Sequence, residues 1–180
     1  MSYTAVDLFA GAGGLSCGFA NAGINILAAV EKDLWAGETY SENHKGTRLF
    51  NLDIFEVPES SLIKFKDVDI VMGGPPCQGF SISASNRRNP SDPRNLLYIE
   101  FLRLAGVLNP KVILIENVKE ITKFKLQDGS LLCKDIHSRL SSMGYFSEDF
   151  ILNASDYGIP QTRIRAFIVG LKKELEFIRK

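Results

Sequence analysis

The sequence predicts an α/β protein with a doubly wound, mostly parallel sheet of seven strands, covered by helices on both faces in a Rossmann-like arrangement. Short apolar runs alternate with amphipathic stretches along the chain, which is the pattern of strands buried between two helical layers. A glycine-rich turn follows the first apolar run, as in folds that bind a ligand at the carboxyl ends of their strands. The last two apolar runs have no helical stretch between them, which predicts an antiparallel pair at one edge.

Each element has its own local signal. The strands are short runs rich in Val, Ile, Leu and Phe, and Asp33 is placed as the N-cap of the second helix. We expect strands at residues 3–9, 24–31, 48–52, 68–72, 111–116, 145–153 and 164–171. We expect helices from the glycine turn to residue 22 and at residues 33–44, 96–108 and 130–143.

Composition narrows the class of protein. With 180 residues, 45% hydrophobic and 23% charged, the chain fits one globular domain spanning residues 1–180. No apolar run approaches the roughly 20 residues of a membrane span, and the N-terminus lacks a signal-peptide layout. The three cysteines are an odd number without C-x-x-C spacing, which argues against disulfides and a metal site and favours a cytoplasmic protein.

The turn after the first predicted strand indicates a nucleoside site. Its glycines allow a tight turn and a close approach of the backbone to a ligand. Glu31 ends the second predicted strand about 20 residues after Gly11, where an acid can accept hydrogen bonds from ribose hydroxyls. The dinucleotide pattern G-x-G-x-x-G is missing because Ser16 stands where it needs glycine. A purely structural turn and a solvated Glu31 remain alternatives at this point.

Cys77 is the candidate nucleophile. It follows Gly73-Gly74-Pro75-Pro76 at the end of the fourth predicted strand, and two prolines fix the backbone before its sulfur. Cys17 and Cys133 fall on predicted helices and are expected to be packed, inert thiols.

Two further groups of polar residues accompany strand ends. Glu116, Asn117 and Val118 end the fifth predicted strand, where a carboxyl is partly removed from water. Arg163 and Arg165 enter the last strand, and alternation places them on one face. A solvated surface is the alternative for this arginine pair.

Taken together, DLFAGAGG (7–14), GGPPCQGFS (73–81), ENV (116–118) and QTRIR (161–165) resemble the successive motifs of DNA cytosine-5 methyltransferases in order and spacing. The resemblance implies that Cys77 adds to C6 of a cytosine flipped out of the duplex. It implies that Glu116 binds and protonates the N3 edge, while Arg165, supported by Arg163, holds the O2 side.

The resemblance also implies S-adenosyl-L-methionine as cofactor. The residues it assigns to the cofactor pocket are Phe9, Gly11, Ala12, Gly13, Gly14, Glu31, Lys32, Asp53, Ile54, Pro75 and Leu97. Glu31 would take the ribose, and Asp53 with Ile54 the adenine. Position 32 commonly carries an aromatic residue in this family, and Lys32 departs from that pattern.

The resemblance also predicts which residues contact DNA. The resemblance assigns contacts with double-stranded DNA to Gln78, Asn117 and the polar loop of residues 79–95, within which Ser81, Ser83, Arg87 and Arg88 would bind phosphate. Equal numbers of basic and acidic residues, 21 each, give no net charge, whereas free-standing nucleic-acid binders are usually basic.

Family members continue past this point with a target recognition domain and a C-terminal segment that completes the cofactor pocket. We therefore expect a second polypeptide that carries recognition. A tRNA cytosine-5 methyltransferase and a truncated, non-catalytic cofactor-binding module are the alternatives.

Overall fold

The computed structural model describes residues 2–76, 96–126 and 128–175. Its strands are β1 (Thr4–Leu8), β2 (Asn25–Val30), β3 (Arg48–Phe50), β4 (Ile70–Gly73), β5 (Val112–Val118), β6 (Tyr145–Asn153) and β7 (Ile164–Lys172). Its α-helices are α1 (Gly14–Asn21), α2 (Leu34–Asn43), α3 (Glu59–Leu62), α4 (Leu97–Leu108) and α5 (Leu132–Ser142). Short 3-10 turns lie at Ile54–Glu56, Ile63–Phe65, Lys119–Lys123 and Ala154–Tyr157.

The strands form one sheet in the order β3-β2-β1-β4-β5-β7-β6. β1 pairs in parallel with β2 and β4, and β2 pairs in parallel with β3. β6 and β7 are antiparallel, with Tyr145 opposite Lys172 and Asn153 opposite Ile164. The predicted fold class and the antiparallel edge pair are confirmed.

The chain divides into two compact units, of which the first comprises Met1–Gly74 and Ile99–Leu114. Its core contains Ala5, Ile26 and Met72, against which Leu15 and Phe19 of α1 pack. β1 and β4 approach closely at Gly73, where a Cβ atom would lie 1.8 Å from the Leu8 carbonyl oxygen. Glycine at that position therefore permits the pairing of these two strands.

The second unit comprises Pro75–Tyr98 and Ile115–Lys180. α5 turns an apolar face inward, and Leu132, Ile136 and Leu140 of that face are fully buried. At the start of α4 the Tyr98 hydroxyl donates to Asp135 of α5 at 2.7 Å. Burial is the main cause that raises the pKa of Tyr98 to about 12.

No helix within the described ranges is long and apolar enough to cross a membrane.

Candidate functional site

The glycine turn of the first unit follows β1 in a left-handed conformation. Phe9, Gly11 and Gly13 have φ angles of 64°, 55° and 92°. A Cβ atom on Gly13 would lie 2.3 Å from Nε2 of His44, so this ring occupies the space that a side chain would need. A Cβ atom on Gly11 would meet nothing within 4 Å. The turn is thus supported by His44 and has open space beside Gly11.

Glu31, directly after β2, joins this turn to the start of α2. One carboxylate oxygen accepts the Gly11 N–H at 2.8 Å, and the other accepts the Asp33 N–H at 2.7 Å. A carboxylate has about four lone-pair positions, so each oxygen can accept a further hydrogen bond. Two neighbouring hydroxyl groups are donors of the kind that these carboxylate oxygens can accept.

The residues after β3 form the next part of this candidate pocket. Asn51 donates to the Glu31 carbonyl at 2.7 Å and so fixes the backbone of that acid. Asp53 caps the following 3-10 turn by accepting the Phe55 N–H at 3.2 Å, and it pairs with Lys32 at 3.3 Å. Ile54 is buried. The structure therefore brings together Glu31, Lys32 and Asp53, which the family resemblance assigns to the cofactor pocket.

An exposed aromatic residue lies close to Lys32 in the chain. Trp35, the single tryptophan, is 78% exposed in the first turn of α2. The N-cap of α2 is Asp33, as predicted, and its side chain accepts the Ala36 N–H at 2.8 Å. Trp35 is a natural fluorescence reporter for this end of the first unit.

Sequence reasoning missed a buried polar cluster beneath the glycine turn. Asp7 in β1 is 1% exposed, and its Oδ2 accepts the Ser16 hydroxyl of α1 at 2.6 Å. The Ser16 and Tyr40 hydroxyls are 2.9 Å apart. Among the described residues, Oδ1 of Asp7 has no hydrogen-bond partner. Desolvation by burial raises the pKa of Asp7 to about 7. The sequence feature that could have indicated this cluster is an acid, Asp7, inside an otherwise apolar predicted strand.

The second unit pairs two of the predicted catalytic residues. Arg165 of β7 places Nε 3.0 Å from Oε1 of Glu116 of β5, and both side chains are about one-quarter exposed (24% and 27%). Nη1 of Arg165 also donates to the Ile164 carbonyl at 2.9 Å. The guanidinium is therefore held from two sides. Arg163, just before β7, is exposed and donates its main-chain N–H to Asn153 at 3.0 Å.

Asn117 of β5 is 6% exposed and holds the backbone on both sides of its amide. Its Nδ2 donates to the Pro75 carbonyl at 2.8 Å, and its Oδ1 accepts the Val118 N–H at 2.9 Å. The predicted substrate contact of Asn117 remains a prediction, and the observed partners indicate a supporting role for this amide.

The remaining predicted site residues fall into three groups. Pro75 and Leu97 are buried in the second unit, whereas Ala12 and Gly14 are exposed in the glycine turn. The residues outside the described ranges are Cys77, Gln78, Ser81, Ser83, Arg87 and Arg88. Within the described ranges, no group of three or more His, Cys, Asp or Glu side chains could hold a metal ion.

The two other cysteines differ in environment. Cys133 is buried, and that burial is the main cause raising the pKa of its thiol to about 11, as expected for an inert residue. Cys17 is exposed, so the expectation that it packs in the interior is wrong. An eight-residue helix such as α1 turns part of its surface to solvent, and Cys17 lies there.

A doubly wound sheet, with a glycine turn after β1 and an acid after β2, defines the class of nucleotide-binding α/β proteins. A family model described as C-5 cytosine-specific DNA methylase matches residues 3–179, so the chain belongs to that family.

Three relatives illustrate the match. The type II methyltransferase M.DdeI of Desulfomicrobium norvegicum is 44% identical over 170 residues, which are 94% of this chain and 40% of M.DdeI. The type II methyltransferase M.AquIA of Picosynechococcus is 35% identical over an alignment 186 positions long, gaps included, which covers 96% of this chain and 74% of M.AquIA. The crystal structure of a prophage-encoded DNA modification methyltransferase from E. coli superposes with a TM-score of 0.82 at 35% identity, covering 97% of this chain and 48% of that one. The chain thus spans less than half the length of M.DdeI.

Proposed function

We propose that this chain carries the catalytic part of a type II restriction-modification methyltransferase, which transfers a methyl group from S-adenosyl-L-methionine to C5 of cytosine in DNA. The ion pair of Glu116 and Arg165 carries this proposal within the described residues. Cytosine presents an amine, N3 and O2 along one edge. A carboxyl group can bind the amine and N3, and a guanidinium beside it can donate to O2. The pair therefore matches the edge of the base that the reaction must polarise.

The nucleophilic addition and the proton transfer to N3 each have a residue in this chain. The Cys77 thiolate adds to C6 of the base, and Glu116 protonates N3 as electron density moves into the ring. C5 becomes nucleophilic as a result. S-adenosyl-L-methionine, when bound, supplies an electrophilic methyl group. A water molecule takes the C5 proton, the electron pair of that C–H bond re-forms the C5–C6 double bond as the Cys77 sulfur leaves as a thiolate, and the N3 proton returns to Glu116, which restores the aromatic ring. The role of Cys77 rests on the sequence, because this residue lies outside the described ranges.

The first unit offers groups that fit this cofactor. Glu31 would bind the ribose hydroxyls through the lone pairs that the Gly11 and Asp33 N–H groups leave free. Asp53 and Ile54 would bound the adenine, and the glycine turn would leave room for the methionine part. Lys32 stands where an aromatic residue is common in the family, and it is held by Asp53 instead. Pro75 and Leu97 of the second unit stay predictions for this pocket.

We propose that a second polypeptide supplies DNA recognition, since the 21 basic and 21 acidic residues of this chain give it no net charge for binding DNA by itself. The cytosine would be flipped out of the duplex, since its reactive face is covered in the stack. M.DdeI and M.AquIA are both named as type II methyltransferases, which favours DNA over tRNA as the substrate. The match spans 74% of M.AquIA but 40% of M.DdeI. These two methyltransferases therefore differ widely in how much of their chain lies outside the region that matches this protein.

A mixing experiment tests the catalytic proposal and the partner together. The 180-residue chain is assayed with methyl-labelled S-adenosyl-L-methionine and DNA of mixed sequence, alone and with the product of the neighbouring reading frame. We expect site-specific transfer only on mixing, abolished by Cys77→Ser and retained by the matched control Cys17→Ser. Trp35 fluorescence should report similar cofactor affinity for both variants. Substantial transfer by Cys77→Ser would refute the covalent mechanism, and robust site-specific transfer by the chain alone would refute the need for a partner.

A further inference from the structure

We propose that His44 is a positioning residue for the binding of S-adenosyl-L-methionine, acting through the main-chain carbonyl of Gly13. The proposal rests on the proposed function, in which the glycine turn after β1 forms part of the cofactor pocket. It assigns to the His44 side chain the task of holding that turn in one conformation before the cofactor arrives.

The first argument is the conformational freedom of the turn. Glycine loses more backbone freedom on ordering than any other residue. Gly11 and Gly13 both have positive φ angles, of 55° and 92°. A ligand that binds against the turn bears the cost of ordering these residues unless other groups of the protein have already ordered them. Groups that hold the turn in the free protein therefore raise the affinity for the ligand.

The second argument is that both main-chain polar groups of Gly13 are held. Its N–H donates to the Ala10 carbonyl at 2.9 Å, which closes the turn. Its carbonyl oxygen accepts the Cys17 N–H of α1 at 2.8 Å and lies 3.1 Å from Nε2 of His44. A carbonyl oxygen can only accept, so Nε2 of His44 carries the proton of this bond. A side chain from the end of α2 thus holds the end of the glycine turn.

The third argument is the support of the His44 ring. His44 is the C-cap of α2, and its main-chain N–H donates to the Tyr40 carbonyl at 2.9 Å. Its ring packs against the fully buried ring of Tyr40, with the two centroids 4.4 Å apart. The Tyr40 hydroxyl lies 2.9 Å from the Ser16 hydroxyl, which donates to Asp7 at 2.6 Å. The buried polar cluster therefore anchors the ring that holds Gly13 to α1 and to β1.

The effect reaches the ribose site through Gly11. The Gly11 N–H donates to Glu31 at 2.8 Å, and Gly11 lies two residues before Gly13 in the same turn. If the carbonyl of Gly13 loses its His44 partner, the turn samples more conformations, and the hydrogen bond that orients Glu31 is made for a smaller fraction of the time. The apparent affinity of a ligand falls in proportion to the fraction of the protein in the binding-competent conformation.

The test measures S-adenosyl-L-methionine affinity by isothermal titration calorimetry on the 180-residue chain. His44→Gln keeps an NH₂ donor about as far from Cα as Nε2 but has no ring, His44→Phe keeps a ring but has no donor, and His44→Ala has neither. The controls are the same three substitutions at His137, the other histidine of the chain. The ring nitrogens of His137 lie 2.7 Å from Oγ of Ser147 and 2.9 Å from Oδ1 of Asp149, in the second unit. Urea unfolding of each variant establishes that it is folded during the titration.

We expect Kd for the cofactor to rise on the order of fivefold in His44→Ala and His44→Phe, and to stay within about twofold of the parent in His44→Gln. The His137 variants should match the parent. Parent-like affinity in folded His44→Ala and His44→Phe would overturn the proposal. Loss of affinity in His44→Gln equal to that in His44→Ala would also overturn it, because ring packing and not the hydrogen bond would then hold the turn. If His44→Ala does not fold, the comparison of His44→Gln with His44→Phe decides.

Amide hydrogen exchange of Gly13, followed by NMR without cofactor, separates this proposal from the proposed function. Exchange should accelerate on the order of fivefold in His44→Phe and stay near the parent rate in His44→Gln. A parent chain that does not bind S-adenosyl-L-methionine would refute the cofactor site of the proposed function, and this pattern of exchange would still support His44 as the residue that holds the turn. Parent-like exchange in both variants would overturn the proposal whether or not the cofactor binds.

Discussion

Replacing Asp7 by Asn should change how the free energy of unfolding depends on pH. Asp7 is 1% exposed, and its pKa is raised to about 7, chiefly by desolvation and to a lesser degree by the negative charge of Glu31. The ordinary value is 3.8. Between these two pH values the folded protein binds a proton that the unfolded chain releases. Stability should therefore fall as pH rises from about 4 to 7 and level off above that range.

The magnitude follows from the size of the shift. A shift of about three pH units corresponds to roughly 4 kcal/mol, at about 1.36 kcal/mol per unit. Relaxation of the pocket around the charge reduces the effect below this figure. Asn keeps an oxygen that can accept the Ser16 hydroxyl and cannot ionise. The variant should equal the parent near pH 4 and exceed it by about 1–4 kcal/mol at pH 8.

Urea unfolding at several pH values from 4 to 8 measures the difference in stability between the parent and Asp7→Asn. Asp156→Asn, which replaces an exposed acid, is the control. Subtracting the parent curve from the variant curve removes the contribution of other acids, such as Asp69, whose pKa is lowered mainly by its hydrogen bond with Lys111. The control should track the parent. A flat difference between parent and Asp7→Asn, or a variant less stable than the parent at pH 8, would refute the argument from desolvation.

Two more predictions concern the first unit. Glu31→Ala should weaken S-adenosyl-L-methionine binding roughly ten- to a hundredfold, since charge-assisted hydrogen bonds are each worth about 1.5–3 kcal/mol. Titration of Trp35 fluorescence measures the affinity for the cofactor. Unchanged affinity would show that Glu31 only links the Gly11 and Asp33 N–H groups. Gly73→Ala should lower the free energy of unfolding by several kcal/mol or prevent folding, because its Cβ would lie 1.8 Å from the Leu8 carbonyl oxygen. The control is Gly18→Ala in α1, whose Cβ would meet nothing within 4 Å. This variant should raise the free energy of unfolding by about 0.5–1 kcal/mol. Equal melting temperatures for the two alanine variants would contradict this reading of the strand approach.

The sequence by itself determined the class of fold and the main elements, whereas the four-residue helix α3 (Glu59–Leu62) was not predicted. The apolar runs at residues 3–9 and 24–31 became β1 and β2, and Asp33 became the N-cap of α2, because helix and strand signals are local and repeat with the period of the element. It also determined the antiparallel pairing of β6 and β7, since a connection without a helix leaves no room for a parallel crossover. The motifs that define the family are contiguous runs of residues, so they can be recognised from the sequence without a structure.

The tertiary structure alone decided which groups hold one another. The bonds from Asn51 to the Glu31 carbonyl and from Asn117 to the Pro75 carbonyl join residues far apart in the chain, and no local period encodes them. The burial of Asp7 beside Ser16 likewise depends on how α1 packs against β1. Local sequence fixes backbone propensity, whereas partners across elements depend on strand order and packing. That physical difference is why the sequence identified Glu116 and Arg165 as candidates, and the fold was needed to bring them within 3.0 Å.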